Sequence, residues 1–129
     1  MRRDAREMAF KIIFEGFFNE NPYNENLLSE LKDKDAEFTK QILESYQKNR
    51  EEIENNVKNT LRKYKLERVY KIDLALVYEA ITEIEYIKTP APVAINEVLE
   101  IAKIYSTEDS PKFLNGILAA YLKGDKKEC

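Results

Sequence analysis

Apolar residues return every three to four positions along most of this chain, and no stretch alternates with a period of two. The pattern predicts helices throughout and no strand. The first helix should run from about Arg3 to Phe18, with three faces. Ala5, Met8, Ala9, Ile12 and Gly16 form one of them, small enough to let another helix come close. Beside it Arg3, Arg6, Phe10 and Phe14 form a second stripe, flanked by Arg2 and Phe17. Asp4, Glu7, Lys11 and Glu15 share the remaining side.

Asn19 to Asn26 is polar, contains Pro22 and reads as a loop. Leu27, Leu28 and Leu31 suggest a short helix, and Lys32 to Asp35 a solvated break whose aspartates can cap the next one. Phe38, Ile42, Leu43 and Tyr46 stripe that next helix. A break or kink is expected near Asn49, after which Ile53, Val57 and Leu61 resume the stripe to about Tyr64. Leu66 to Lys71 is a transition. Ile72, Ala75, Leu76, Ala80, Ile81 and Ile84 then predict a strongly apolar helix, the central and most buried one. Thr89-Pro90-Ala91-Pro92 ends it and launches another, because Pro92 suits a first helical turn. Val93, Ala94, Val98, Ala102 and Tyr105 stripe that helix. Ser110 and Pro111 read as N-cap and first turn of the last, striped by Phe113, Leu114, Ile117, Leu118 and Tyr121, with Gly124 as its stop. The outcome is an all-α chain of about seven helices forming one domain over residues 1–129. Two packed sub-bundles, about 1–49 and 50–124, are expected, with a short charged tail at 125–129.

Composition narrows the chemistry. The 129 residues are 43% hydrophobic and 35% charged, a soluble globular mixture. No apolar run approaches membrane-spanning or signal-peptide length, so a cytoplasmic protein is expected. There is no histidine, which removes the commonest general base and metal ligand. Cys129 is the single cysteine, and glycines at 16, 116 and 124 build no phosphate loop. No catalytic constellation, cofactor motif or metal site is read from the chain. The balance favours a binding protein over an enzyme. A net charge of −3 argues against indiscriminate nucleic-acid binding but leaves room for a local basic site.

The strongest candidate for such a site is Arg2, Arg3 and Arg6 with Phe10 and Phe14. Arginine offers a planar fork for phosphate. Aromatic rings offer faces on which unpaired bases stack, each worth about 1–3 kcal/mol. The alternative is that the arginines are solvated charge, paired with Asp4 and Glu7, while the phenylalanines are core. Lys112 and Phe113 repeat the basic-plus-aromatic pairing at another helix start, where Phe113 would ordinarily be core. Val93, Ala94 and Ile117 read as core. Asn96 and Asn115 stand in apolar helices and are expected to make internal hydrogen bonds. Glu67, Asp73, Glu79 and Glu83 read either as a solvated face or as an acidic rim for a basic protein partner.

Two motifs carry a resemblance. Val93-Ala94-Ile95-Asn96-Glu97, followed by Asp109-Ser110-Pro111-Lys112-Phe113-Leu114-Asn115-Gly116, resembles the signature of the NusB family of transcription antitermination factors. The start Arg2-Arg3-Asp4-Ala5-Arg6-Glu7 is similar to that family's arginine-rich beginning, and Leu66 through Ile84 to its central helix. The resemblance implies an all-helical fold of two sub-bundles and binding to boxA-type single-stranded RNA of ribosomal-RNA leaders. It also implies a heterodimer with the small ribosomal protein NusE, the complex acting on RNA polymerase. Arg2, Arg3 and Arg6 fall on the RNA-binding arginines, and Asp109, Lys112 and Phe113 on a second RNA-contacting segment. Phe14 takes the place of an aromatic near both RNA and protein partner, commonly tyrosine, and lacks its hydroxyl. Glu67 and Asp73 fall on acidic positions near the partner interface. Asp4 interrupts the basic run, and Tyr78 stands where arginine is common. Some relatives form homodimers that hide the arginine face, so a protein-interaction module with little RNA binding of its own is the second reading. The same module fronts certain RNA cytosine methyltransferases, but this chain shows no Gly-rich cofactor-binding stretch and is not expected to be one.

Overall fold

In the computed structural model, which describes residues 2–19, 28–62 and 68–125, the chain is helical with no strand among those residues. Six α-helices are present there: α1 (Arg2–Glu15), α2 (Asp33–Lys48), α3 (Arg50–Thr60), α4 (Lys71–Thr82), α5 (Ala91–Tyr105) and α6 (Ser110–Ala120). Two π-helical turns, Glu83–Ile87 and Tyr121–Asp125, extend α4 and α6. No helix of the described residues is long and apolar enough to cross a membrane.

Helix α4 is the axis. Every residue from Asp73 to Thr82 is buried, so the helix is covered on all sides. It packs against α1, α2, α3, α5 and α6. A single apolar cluster drawn from all six helices surrounds it, closed by Tyr121. The small-residue face of α1 behaves as its side chains dictate. Ala5 and Ala9 are fully buried, and α2 comes close enough for the Thr39 hydroxyl to lie 3.0 Å from both the Ala5 and the Asp35 carbonyl oxygens.

The break after α2 falls at Asn49. Its backbone N–H and its side-chain amide both donate to the Ser45 carbonyl, at 3.1 and 2.9 Å, while its own carbonyl accepts the Ile53 N–H. An asparagine that offers the backbone a side-chain substitute interrupts a helix this way. Helix α1 stops at Glu15, and Gly16–Phe18 follow as a turn. Of the expected short helix, Leu28 is helical and residues 29 and 30 form a turn, while Leu27 lies outside the described residues, as does Tyr64.

Several expectations are corrected. Asp33 and Asp35 do not cap α2. Lys32 occupies the cap with no side-chain bond, and the aspartates sit in the first turn, facing the positive end of the helix dipole. Ser110 is the first residue of α6, and Asp109 takes the cap position. Val93 is 46% exposed, because α5 turns Ala94, Val98, Ile101 and Ala102 inward instead. Asn96 and Asn115 are exposed rather than internal: Asn96 projects opposite that buried stripe. Glu79 and Glu83, expected on a solvated or acidic outer face, are fully buried.

The π turn after α4 ends at Lys88, which adopts the left-handed conformation with φ +67°. The Lys88 and Thr89 N–H groups both donate to the Glu83 carbonyl. Gly124 closes the last turn at φ +100°, a conformation that favours glycine.

Candidate nucleic-acid interface

The three arginines that open α1 have three different environments. Arg2 is exposed, with its guanidinium 4.1 Å above the centre of the Phe38 ring. Arg3 reaches across to α5, where Nε and Nη2 donate to the two carboxylate oxygens of Glu97 at 3.2 and 3.0 Å. Arg6 is only 5% exposed. Its Nε and Nη2 each donate to one oxygen of Glu83 at 2.8 Å, and Nη1 lies 3.7 Å from Glu97. The stripe expected on this helix therefore dips inward at its second turn. One arginine of the set is structural.

Behind Arg6 lies a pair of buried glutamates one turn apart, Glu79 on α4 and Glu83 at the start of the π turn that extends it. Glu83 receives both Arg6 bonds and a 3.0 Å bond from the Thr89 hydroxyl. Burial would raise its pKa, but hydrogen bonds from Glu79, Arg6 and Thr89 outweigh that and hold it below the usual carboxylate value. Glu79 is the opposite case. Burial first, then the neighbouring Glu83 carboxylate, push it well above the ordinary value. With both carboxyls ionised, neither Glu79 oxygen has a donor among the described residues. A proton on Glu79 resolves this, because it can then donate to Glu83. Arg6 is kept charged: burial opposes its charge, and Glu83, Glu79 and Glu97 more than offset the penalty.

The second stripe continues along α1 with Phe10, which is buried and packs its ring 5.4 Å from that of Tyr105 on α5. Phe10 is thus core rather than a stacking platform. Lys11 places its ammonium 4.8 Å above the same Tyr105 ring. The pairings 3 with 97 and 10 with 105 advance together, so α1 and α5 lie side by side in the same direction. Spacing alone puts Lys11 on a mixed charged side. Its partnership with an aromatic ninety-four residues later leaves no local signal.

Phe14 is half-buried and meets Phe17 and Phe18 edge-on, at 6.4 and 5.2 Å between ring centres. Phe17 packs in turn on Tyr78, with the Lys71 ammonium 5.8 Å above it, while Phe18 is 63% exposed. The end of α1 is therefore an aromatic patch, with Phe14 separated from Arg3 by about 17 Å at 1.5 Å per residue.

Of the second segment, Asp109 and Lys112 are exposed at the start of α6 and Phe113 is half-buried against the core. The joint that leads into them hangs from Asp73. That carboxylate accepts the Ser106 hydroxyl on one oxygen at 2.6 Å and the Ser110 hydroxyl on the other at 2.9 Å. Ser110 also accepts the Thr107 N–H, and its hydroxyl lies 2.8 Å from that of Thr107. Asp73 is 3% exposed, so its carboxylate forms no outward acidic rim; it anchors the α5–α6 joint to α4. Glu67 lies outside the described residues. The joint meets α1 through Tyr105 and Phe10, which places Arg2 and Arg3 toward one end of the α1–α5 surface and the joint toward the other. Among the described residues no group of acidic or cysteine side chains is arranged to hold a metal.

Comparison with known proteins gives this arrangement a family. The model of the NusB family matches residues 3–123. Transcription antitermination protein NusB of Listeria innocua serovar 6a is 36% identical over 126 residues, covering 97% of this chain and 98% of its own. The protein of the same description from Finegoldia magna is 36% identical over 129 residues, covering 95% and 93%. Among solved structures, T. maritima NusB aligns with a TM-score of 0.85 at 32% identity, over 96% of this chain and 92% of that one. A chain in a structure described as a plectonemic RNA supercoil aligns with a TM-score of 0.87 at 21% identity, a likeness of fold. From the arginines of α1 to the last turn after α6, the chain belongs to the NusB family.

Proposed function

We propose that this protein is a non-catalytic, RNA-binding transcription antitermination factor. It binds boxA-type single-stranded RNA of ribosomal-RNA leaders together with the ribosomal protein NusE, and the complex acts on RNA polymerase. The observation that carries the reading is the pair of solvent-accessible guanidiniums, Arg2 and Arg3, on the opening turn of α1 in a chain of this family. Arg2 can present its forked donors to phosphate directly, and Arg3 can do so by exchanging the Glu97 carboxylate on its Nε–Nη2 edge. Arg6 serves the same surface from inside, by fixing the roll of α1 against α4. Asp109, Lys112 and Phe113 supply the second RNA segment. Phe14, within its aromatic patch, faces both RNA and NusE, with Glu67 on the partner side. Asp73 contributes by holding the α5–α6 joint in register.

A net charge of −3 weakens the attraction of the free chain for RNA, so a basic partner is expected to tighten binding. The test is a titration of labelled boxA-type RNA, with and without NusE, at two salt concentrations. Arg3→Ala should weaken binding by roughly 1–3 kcal/mol and reduce the salt slope by about one. Equal binding by wild type and an Arg2→Ala/Arg3→Ala double variant would reject the reading.

The exposed Phe18 beside Phe14 and Phe17 favours a second reading, a protein-interaction or homodimer module with little RNA binding of its own. Sedimentation of the free protein separates the two. A stable dimer with inaccessible arginines supports the second, and a monomer that binds RNA supports the first.

A further inference from the structure

Glu97 belongs to the motif that identifies the family, yet it faces neither the core nor open solvent. It sits between two arginines. Its two oxygens fill the Nε–Nη2 fork of Arg3, the same bidentate edge that a phosphate would occupy. The pair is accessible, with the Arg3 side chain 36% exposed and that of Glu97 18% exposed. Arg6 is different. Glu83 already takes its Nε and Nη2, and Nη1 is left pointing at Glu97 from 3.7 Å, beyond hydrogen-bond distance.

We propose that Glu97 is a built-in competitor for the nucleic-acid phosphate at Arg3, and that it swings to Arg6 when a phosphate takes its place. This rests on the RNA-binding reading of Arg2 and Arg3. In the free protein the carboxylate screens Arg3. When RNA arrives, one anion replaces another on the fork. The displaced carboxylate closes the short gap to Nη1 of Arg6 and is not left unpaired. Arg6 can receive it because its own position is fixed from behind by Glu83. The exchange makes the arginine surface selective. A weak or isolated anion gains little by displacing Glu97, whereas a strand that also engages Arg2 and the second segment gains enough to do so. Glu100, one turn further along α5, carries the same charge but is paired with Lys103 at 2.7 Å and makes no hydrogen bond to Arg3.

The experiment titrates a labelled boxA-type single-stranded RNA against the full chain carrying Glu97→Gln, Arg3→Ala, both together, or Glu100→Gln as a charge control. Glu97→Gln preserves the shape of the side chain and one acceptor, and circular dichroism checks that each variant folds. Removing an exposed competing ion pair should tighten RNA binding by roughly two- to five-fold. That gain should vanish in the Arg3→Ala background and be clearly smaller in Glu100→Gln, since the Glu100 carboxylate acts on Arg3 only through space. The Arg3 Nε–H resonance should shift on Glu97→Gln and on adding RNA to wild type. If Arg3→Ala weakens binding but Glu97→Gln does not tighten it, or tightens it equally without Arg3, the competition is overturned and the RNA reading stands. If Arg3→Ala leaves RNA binding unchanged, the RNA reading of Arg3 fails and the competition fails with it.

Discussion

Arg6 and Glu83 form a buried, two-bond ion pair that joins the first helix to the end of the central one, with both contacts at 2.8 Å. Breaking such a pair from one side leaves a charge in the interior without its counter-charge, which costs about 3–5 kcal/mol. Arg6→Ala or Glu83→Ala should therefore cost that much in urea unfolding. Replacing both with apolar residues of similar volume, as Arg6→Met with Glu83→Leu, should recover most of the loss. Arg6→Lys should not rescue, because a single ammonium cannot reproduce the planar fork.

The two glutamates behind Arg6 should respond to pH with opposite signs. Glu79 has a folded-state pKa raised above its ordinary 4.5, so the native state holds its proton more tightly than the unfolded chain does. Its stabilising share is complete below that ordinary value and is lost as pH rises toward the raised one. Glu83 is held below 4.5, so its share is present above the ordinary value and is lost as pH falls through the lowered one. Glu79→Gln keeps a donor toward Glu83 with no proton to lose. It should remove the decline on the alkaline side and leave the acid-side loss, read from urea midpoints across pH. Glu83→Gln should remove much of the acid-side loss while lowering stability near neutrality.

Asp73→Ala should leave the Ser106 and Ser110 hydroxyls without their shared acceptor, destabilising the protein by about 1–3 kcal/mol. Hydrogen exchange should rise first at Thr107, whose N–H is held by Ser110. RNA binding should fall although Asp73 touches no ligand, because the segment bearing Asp109 and Lys112 loses its anchor.

The α1–α2 crossing should tolerate no added bulk. Ala5→Leu places a branched side chain where α2 already approaches the α1 backbone through Thr39, and overpacking of this kind costs about 1–3 kcal/mol. A thermal melt of Ala5→Leu beside the volume-neutral Thr39→Val would separate lost space from a lost hydrogen bond.

Lys88 holds a left-handed backbone that disfavours residues bearing a Cβ by about 1–2 kcal/mol. Lys88→Gly should relieve part of that and stabilise the protein by up to about 1 kcal/mol after the added unfolded-state entropy is subtracted. The urea midpoint reads it directly.

What could be read from the sequence divides along a physical line. The apolar period gave the central helix, the small-residue face of Ala5 and Ala9, and the interruption at Asn49, because each depends on neighbours within a few residues. Pro92 and Gly124 marked a start and a stop for the same reason. The charged residues resisted. Nothing local distinguishes Arg6, which is buried, from Arg3, which is not. Nor does spacing show that Glu79 and Glu83 lie inside: the central helix is covered on all sides and Glu83 begins the turn that extends it, so no polar face marks which carboxylates are exposed. Their partners are distant in the chain: Glu83 from Arg6 by seventy-seven positions, Ser110 from Asp73 by thirty-seven. Asn96 and Asn115 failed in the opposite sense. A polar residue in an apolar helix suggested an internal bond, and the helix had simply turned it outward.

The split among the arginines of α1 bears on how the family should diversify. On the proposed RNA-binding reading, Arg6 answers to the fold while Arg2 and Arg3 answer to the RNA, so the three would be under separate selection although they stand on neighbouring turns. A lineage that gave up nucleic-acid binding would be free to lose Arg2 and Arg3, while Arg6 and Glu83 would persist together or be replaced together. Counting arginines at the start of such a chain would then misjudge its function; asking whether Arg6 and Glu83 vary as a pair, and Arg3 and Glu97 as another, would not.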